Sequence, residues 1–201
     1  IRVSVFLDPA GANTTAVAAV IAAKRHISFV TSAETKCCQA MILGGTGPVG
    51  QRISRLLAAQ GAHVYLVSRD LERASTCCQF IQQKTPNTHL EPLSGKMVGE
   101  VIGSVDLIIA AGKPGIKMLT ATQLSQATSN TVCIDLNAVP PAGINGIQPA
   151  DEARRDGTKH LYGALRVGEM KMKLHKAAIQ QLFQTNDQWI DAEELLMLSE
   201  R

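Results

Sequence analysis

The stretch from Gln39 to Arg69 limits the possible folds of this chain more than any other, because it sets a strand, a glycine turn, a helix and a second strand in that order. Met41, Ile42 and Leu43 form a short apolar run that stops at Gly44, and Gly45, Gly47 and Gly50 follow at G-x-G-x-x-G spacing. In that pattern Gly45 is expected to allow a turn too tight for a Cβ. Gly47 would let the backbone approach a pyrophosphate, and Gly50 would let the helix pack closely on its strand. Pro48 suits the first helical turn, where its fixed φ helps and its missing N–H is no loss. The spacing predicts a helix to about Gln60 that buries Val49, Ile53, Leu56 and Leu57 and stops at Gly61. Its unpaired N-terminal amides would form an anion site. A tight turn that binds nothing would share these glycines, but the flanking strand and helix and a second strand over His63–Val67 favour a dinucleotide.

The end of that second strand bears on which dinucleotide. NAD sites usually place an acidic residue there, about 20 residues beyond the glycines, to hold the ribose 2′-hydroxyl. Ser68 and Arg69 stand there instead. A carboxylate would repel a 2′-phosphate, whereas a hydroxyl and a guanidinium both donate to one, which favours NADP. The competing reading is a solvated Arg69 with Asp70 or Glu72 as neighbour.

At 201 residues the chain is long enough for one complete domain and a smaller lobe. Aromatic residues make up 3% of it, so the core must rest on Ala, Val, Ile and Leu, as in parallel sheets covered by helices. A net charge of +3 with both signs dispersed argues against a nucleic-acid partner. No apolar run reaches the length of a membrane span, about 18 residues. The start, Ile1-Arg2-Val3-Ser4, does not resemble a signal peptide and predicts processing or truncation. Five cysteines, with Cys37-Cys38 and Cys77-Cys78 adjacent and Cys133 alone, fit neither a disulfide framework nor a metal spacing. Free thiols in a reducing cytoplasm are expected, and no metal.

Taken in order, Ile1–Leu7 reads as a strand, followed by a helix through Ala23 capped by Asn13 or Thr14. Ser28–Lys36 is polar and fits a hinge between lobes. Leu71–Lys84 suits a helix with Leu71, Ala74, Cys78 and Ile81 on one side. His89–Leu93 suits a strand, and Lys96–Ile102 a helix. Val105–Ala111 is the clearest later strand, and it ends in Gly112-Lys113-Pro114-Gly115, a turn either beside the cofactor or merely structural. Met118–Ala127 suits a helix and Thr131–Leu136 a strand, with Asn137 and the Pro140-Pro141 loop after it. Asp151–Gly157 is charged and is expected to lie outside the core. Leu161–Val167 leads through Gly168 into a helix that runs to about Phe183, and Asp191 caps a last helix over Ala192–Leu198.

Familiar catalytic signatures are absent: there is no G-x-S-x-G elbow, no H-E-x-x-H helix and no Walker lysine. His160 and His175 are isolated in sequence and read as surface or interface histidines. Lys171 and Lys173, beyond a glycine turn, could meet an anionic substrate or a developing charge. Hydride transfer from a carbon between two nitrogens needs no acid or base, because those nitrogens stabilise the resulting cation. Only alignment and exclusion of water are then required.

Five segments carry a resemblance: GTGPVG at Gly45–Gly50, SRDLERA at Ser68–Ala74, LNAVPPAGINGI at Leu136–Ile147, GALRVGEMKMKLHKAAI at Gly163–Ile179 and DAEEL at Asp191–Leu195. With them the chain resembles the NADP-dependent methylenetetrahydromethanopterin dehydrogenases of methylotrophic bacteria, a class that includes methylenetetrahydrofolate-active members. The resemblance implies an α/β protein, a Rossmann-type doubly wound parallel sheet with part of a second α/β substrate lobe. It divides the chain into a remnant of that lobe (1–35), an NADP-binding domain (36–165) and C-terminal helices returning to the lobe (166–201). Members carry a further segment ahead of the residue that is Ile1 here, so an incomplete pterin site is expected. The implied activity is oxidation of a methylene bridge to methenyl by hydride transfer to NADP, a step in formaldehyde oxidation. The implied coenzyme residues are Gly45, Thr46, Gly47, Pro48, Val49 and Gly50, with Ser68 and Arg69 at the 2′-phosphate. Ala111, Gly112 and Asn137 complete that set. Lys171 is the expected catalytic residue, a cleft lysine near the transfer site, and Asp8 and Asn13 are expected on the substrate side. The pterin is the expected small-molecule partner, and the apolar helix over 13–23 fits a homo-oligomer.

Overall fold

The computed structural model describes residues 2–29 and 37–200. Its central sheet has seven strands in the order β4-β3-β2-β5-β6-β8-β7. These strands are β2 (Gln39–Leu43), β3 (His63–Ser68), β4 (His89–Ser94), β5 (Leu107–Ala110), β6 (Val132–Asp135), β7 (Arg154–Asp156) and β8 (Lys159–Tyr162). Six run parallel, and β7 lies antiparallel at one edge. From β2 the chain builds outward through β3 and β4, then returns to the other side of β2 to lay down β5, β6 and β8. The order therefore reverses between β2 and β5, where open sheets of this kind bind ligands.

Both faces of the sheet are covered, which explains why its central strands are apolar without interruption. On one face Ala40, Ile42, Val64, Leu66, Ile109 and Ile134 pack under α1 (Ala12–Lys24), α2 (Pro48–Ala59), α3 (Leu71–Lys84), α6 (Ala164–Leu182) and α7 (Ala192–Leu198). On the other, Met41, Leu43, Val67, Ile108 and Cys133 meet Val98 of α4 (Val98–Val101), Ile102, and Leu124 of α5 (Ala121–Ser125). The alternation of neighbours within β2 between the two faces follows from the two-residue period of a strand.

Helix α1 is buried nearly all round, with Ala16, Ala18, Ala19, Ala22 and Ala23 fully covered. Such small side chains let α2, α6 and α7 approach it closely, which is how a chain poor in aromatics fills its core. A second, two-stranded parallel sheet joins β1 (Val5–Phe6) to β9 (Trp189–Ile190).

Several local expectations need correction. Residues 30–36 of the expected hinge lie outside the described residues. The residue before α1 is Gly11, not Asn13 or Thr14, because the Asp8 carboxylate takes the N–H groups of Asn13 and Thr14. Leu71 is 48% exposed, and Cys77 takes the inward position beside Ala74, Cys78 and Ile81. The expected helix over 96–102 breaks into short turns on either side of α4. Residues 118–120 are not helical, since Leu119 bridges to Ile144. The charged stretch 151–157 supplies β7, and Asp151 is buried in an ion pair with Arg154. Gly168 breaks nothing: it lies inside α6, which starts at Ala164.

The five cysteines are free thiols, and burial pushes those of Cys38, Cys78 and Cys133 up to about 12. Where α1 ends, the His26 ring stacks on His160 with centroids 3.9 Å apart, and His26 Nε2 lies 2.8 Å from Tyr162 Oη. Burial, then His160, Arg25 and Arg155, hold the His26 pKa below its ordinary 6.5. The unfolded chain therefore takes up this proton first, so the stability is present above the ordinary value and is lost as pH falls through it toward the folded value. Melting temperature should drop between about pH 8 and about pH 5.5, and His26→Gln should shrink that drop. An unchanged drop in the variant would show that the stacked pair is not its source.

Candidate functional site

At the switch point the carboxyl ends of β2 and β5 meet with almost no side chain between them. Gly44 follows β2 at φ +74°, and a Cβ there would stand 2.7 Å from Gly112 Cα. The Ala111 N–H donates to Leu43 O at 2.9 Å, which fixes the spacing. The left-handed residue of this turn is thus Gly44 and not Gly45. Gly45 must lack a side chain for another reason, since a Cβ would meet Leu66 Cγ at 2.6 Å. Gly50 packs against the turn as expected: its Cβ would lie 2.6 Å from Gly44 O and 2.7 Å from Gly45 Cα.

Gly47 differs from these. Its nearest protein atoms to a Cβ would be Gly44 O at 3.4 Å and Ala111 O at 3.7 Å, so the missing side chain leaves room rather than relieving a clash. Gly47 also precedes α2 and offers no side-chain cap, and Pro48 has no N–H. The first-turn amides of Val49 and Gly50 are left for an external acceptor, with the positive end of the helix dipole behind them. Such a cradle fits a dinucleotide diphosphate. Thr46 lies within it, its carbonyl accepting from Gln51 Nε2 at 2.8 Å.

The residues expected beyond the glycines fall around the same crevice. Ser68 is the last residue of β3, and its Oγ accepts the Asp70 N–H at 3.2 Å. Arg69 is exposed, and among the described residues it makes no ion pair. Asp70 is taken up as the cap of α3, accepting the Arg73 N–H. Gly112 lacks a side chain because Met118 occupies that space. Asn137 Nδ2 donates to Val139 O and Pro141 O, each at 2.8 Å, and its Oδ1 accepts the Val139 N–H, so its side chain shapes the loop through the cis Pro140-Pro141 bond. Asp135, which sequence reasoning missed, is 1% exposed and clamps that loop by accepting the Asn137 and Ile144 N–H groups. Burial raises its pKa, partly offset by those backbone bonds.

A second group of polar residues gathers about the first turn. The space that a Cβ on Gly11 would fill is taken by the Lys171 ammonium, with Cε at 2.9 Å from that position. Gly11 has φ +68°, a conformation that favours glycine, and its missing side chain leaves the space in which the end of the Lys171 side chain rests. One helical turn along α6, His175 Nδ1 lies 3.6 Å from Asp8 Oδ2, and its ring leans on Phe6. His175 is therefore not isolated. Its spacing of four from Lys171 on a helix was the available signal.

Asp8 is held as the cap of α1, and its Oδ2 also accepts from Thr14 Oγ1 at 2.7 Å. Asn13, 1% exposed, donates to Leu7 O and to Asp191 Oδ1, and its Oδ1 accepts from Arg52 Nε. Arg52 belongs to α2, and Asp191 caps α7 in a reciprocal capping box with Glu194. Asn13 thus ties three helices together. Phe6, Leu7, Asp8, Pro9, Asn13, Arg52 and Asp191 line an open cavity of about 420 Å³.

No family model matches the chain. Over 200 residues it is 35% identical to the bifunctional protein MdtA of Methylorubrum extorquens, a match covering 98% of this chain and 68% of that protein. A second relative from the same organism, the NAD(P)-dependent methylenetetrahydromethanopterin dehydrogenase, is 34% identical over 172 residues, 83% of this chain and 58% of the relative. The chain belongs to this dehydrogenase family of methylotrophs. It spans about two thirds of the length of the first relative and 58% of the second. Among solved structures, the transhydrogenase of Sinorhizobium meliloti superposes with a TM-score of 0.67 at 18% identity, over 94% of this chain and 53% of that one. That likeness shows a Rossmann-type fold.

The contrast between two glycines of the turn tests the cradle. Gly50→Ala drives a Cβ into backbone and should cost about 1–3 kcal/mol of stability. Gly47→Ala should leave stability close to wild type while weakening dinucleotide binding, as read by denaturation and calorimetric titration. Equal dinucleotide affinity in wild type and Gly47→Ala would place the ligand elsewhere.

Proposed function

We propose that this chain carries the coenzyme site of an NADP-dependent dehydrogenase. Its substrate would be methylenetetrahydromethanopterin or methylenetetrahydrofolate, oxidised to the methenyl form in one-carbon metabolism. The observation that carries the reading is the uncapped start of α2 at the switch point, opening beside a strand end that bears Ser68 and Arg69 where a carboxylate would select NAD. The name of the second relative, a methylenetetrahydromethanopterin dehydrogenase, supports the substrate class.

In this reading the backbone from Gly45 to Gly50 holds the diphosphate, and Ser68 and Arg69 donate to the 2′-phosphate. Ala111 and Gly112 form the wall of the crevice at the end of β5, and Asn137 keeps the neighbouring loop in shape. A bound oxidised nicotinamide supplies the acceptor for the hydride. The substrate carbon gives up a C–H bond with both its electrons, and the charge left behind is shared by the two flanking nitrogens. No proton leaves that carbon in the step, so the site needs no titratable pair at the reacting atoms. The chain contributes alignment and exclusion of water.

Lys171 donates from the rim to acceptor oxygens of the substrate, its ammonium kept in place over Gly11. Asp8 and Asn13 act as positioning residues, since their polar atoms are committed to the turn and helices that form the wall.

Binding and turnover test the two halves separately. Arg69→Ala should weaken NADP about ten- to hundredfold, the loss of one charged hydrogen bond, and leave NAD unchanged. Lys171→Ala should lower turnover or pterin affinity with NADP binding intact. Each variant is to be assayed with both pterins separately. Tight NADP binding with no turnover of either pterin would reduce the chain to a nucleotide-binding module, and equal loss of NADP and NAD in Arg69→Ala would remove the arginine from the 2′-phosphate.

A further inference from the structure

Two neighbouring strand ends finish in the same way. Ser68 closes β3 and Ser94 closes β4, and the two serines are register partners across the sheet. Ser68 Oγ accepts the Asp70 N–H at 3.2 Å, and Ser94 Oγ accepts the Lys96 N–H at 3.4 Å. In each turn the hydroxyl oxygen serves its own backbone two residues on, which leaves the O–H as a donor.

A cation follows each serine: Arg69 in the first turn and Lys96 in the second. Both are exposed, and among the described residues neither makes an ion pair. Gly95 seats the second turn on the first, since a Cβ on it would stand 3.8 Å from Ser68 O, an ordinary contact distance. The nearest carboxylate in sequence, Asp70, is occupied as the cap of α3.

We propose that Ser94 and Lys96 form the second half of the 2′-phosphate subsite, facing Ser68 and Arg69, so that the phosphate sits between two strand-end turns. This rests on the NADP reading above and adds Lys96 as a specificity-determining residue that the glycine fingerprint does not predict. The charge balance supports a second cation. A phosphate monoester carries about −1.5 to −2 near neutral pH, and one guanidinium offsets a single unit of it. NAD has only a hydroxyl at this position, so Lys96 contributes nothing to its binding.

The test is calorimetric titration of the full chain with NADP, NAD and adenosine 2′,5′-bisphosphate, in wild type, Lys96→Gln, Ser94→Ala, Lys96→Arg and Arg69→Ala. Lys96→Gln should weaken NADP and the bisphosphate by about tenfold, the scale of one charged contact, and leave NAD unchanged. Lys96→Arg should restore most of the affinity. In Lys96→Gln the NADP affinity should also fall less steeply with salt, since one exposed charge contact is gone. If wild type prefers NADP and Arg69→Ala abolishes the preference while Lys96→Gln does not alter it, Lys96 lies outside the subsite and the NADP reading stands. If wild type binds NADP and NAD equally, both fail together.

Discussion

The close approach of two backbones at the switch point is the constraint on which the rest of this structure depends. Gly44 and Gly112 meet at a separation that excludes a Cβ between them, and the bond from the Ala111 N–H to Leu43 O holds β2 and β5 at that spacing. Because the strand ends lie so near each other, the turn into α2 must fold back over them, and Gly45 and Gly50 fit only without side chains. Gly47 then stands where protein atoms are sparse. The helix starts with donors that nothing in the turn caps, so the packing that makes the sheet possible also leaves an anion site at its edge.

The second polar group depends on that packing at one remove. Arg52 lies one turn into the helix that the glycines position, and through Asn13 and Asp191 it joins α2 to α1 and α7. Lys171 and His175 reach the same turn from α6, over Gly11 and beside Asp8. The candidate coenzyme cradle and the candidate substrate rim are therefore braced by one set of helices around the alanine-rich α1. A larger side chain at Ala16, Ala18, Ala19, Ala22 or Ala23 would push these helices apart.

Much of the sheet was legible in the sequence because its signals are local. The apolar run into Gly44, the three glycines and Pro48 define β2, the turn and α2, and α3 spans Leu71–Lys84 as its pattern indicates. Asp191 as the cap of α7 was equally readable, since an N-cap depends on neighbours in sequence. What could not be read depends on partners far along the chain. The left-handed residue proved to be Gly44 because Gly112, from another strand, sets the space. Leu71 looked like part of an apolar face, yet it stands at the solvent end of α3. The stretch 151–157 looked like a surface loop because the pairing of β7 with β8 and the Asp151–Arg154 ion pair leave no periodic trace. The contacts of Asn13 with Arg52 and Asp191, and of His175 with Asp8, belong to the same class.

The most direct measurement of the central claim is an amide-resolved NMR titration of the chain with NADP. Large shifts are expected at the Val49 and Gly50 amides, as donors that protein leaves open take up diphosphate oxygens, with smaller changes at Gly47, whose N–H already donates to Gly44 O, and in the cores of β2 and β5. Saturable binding that left the Val49 and Gly50 amides unmoved would contradict the cradle.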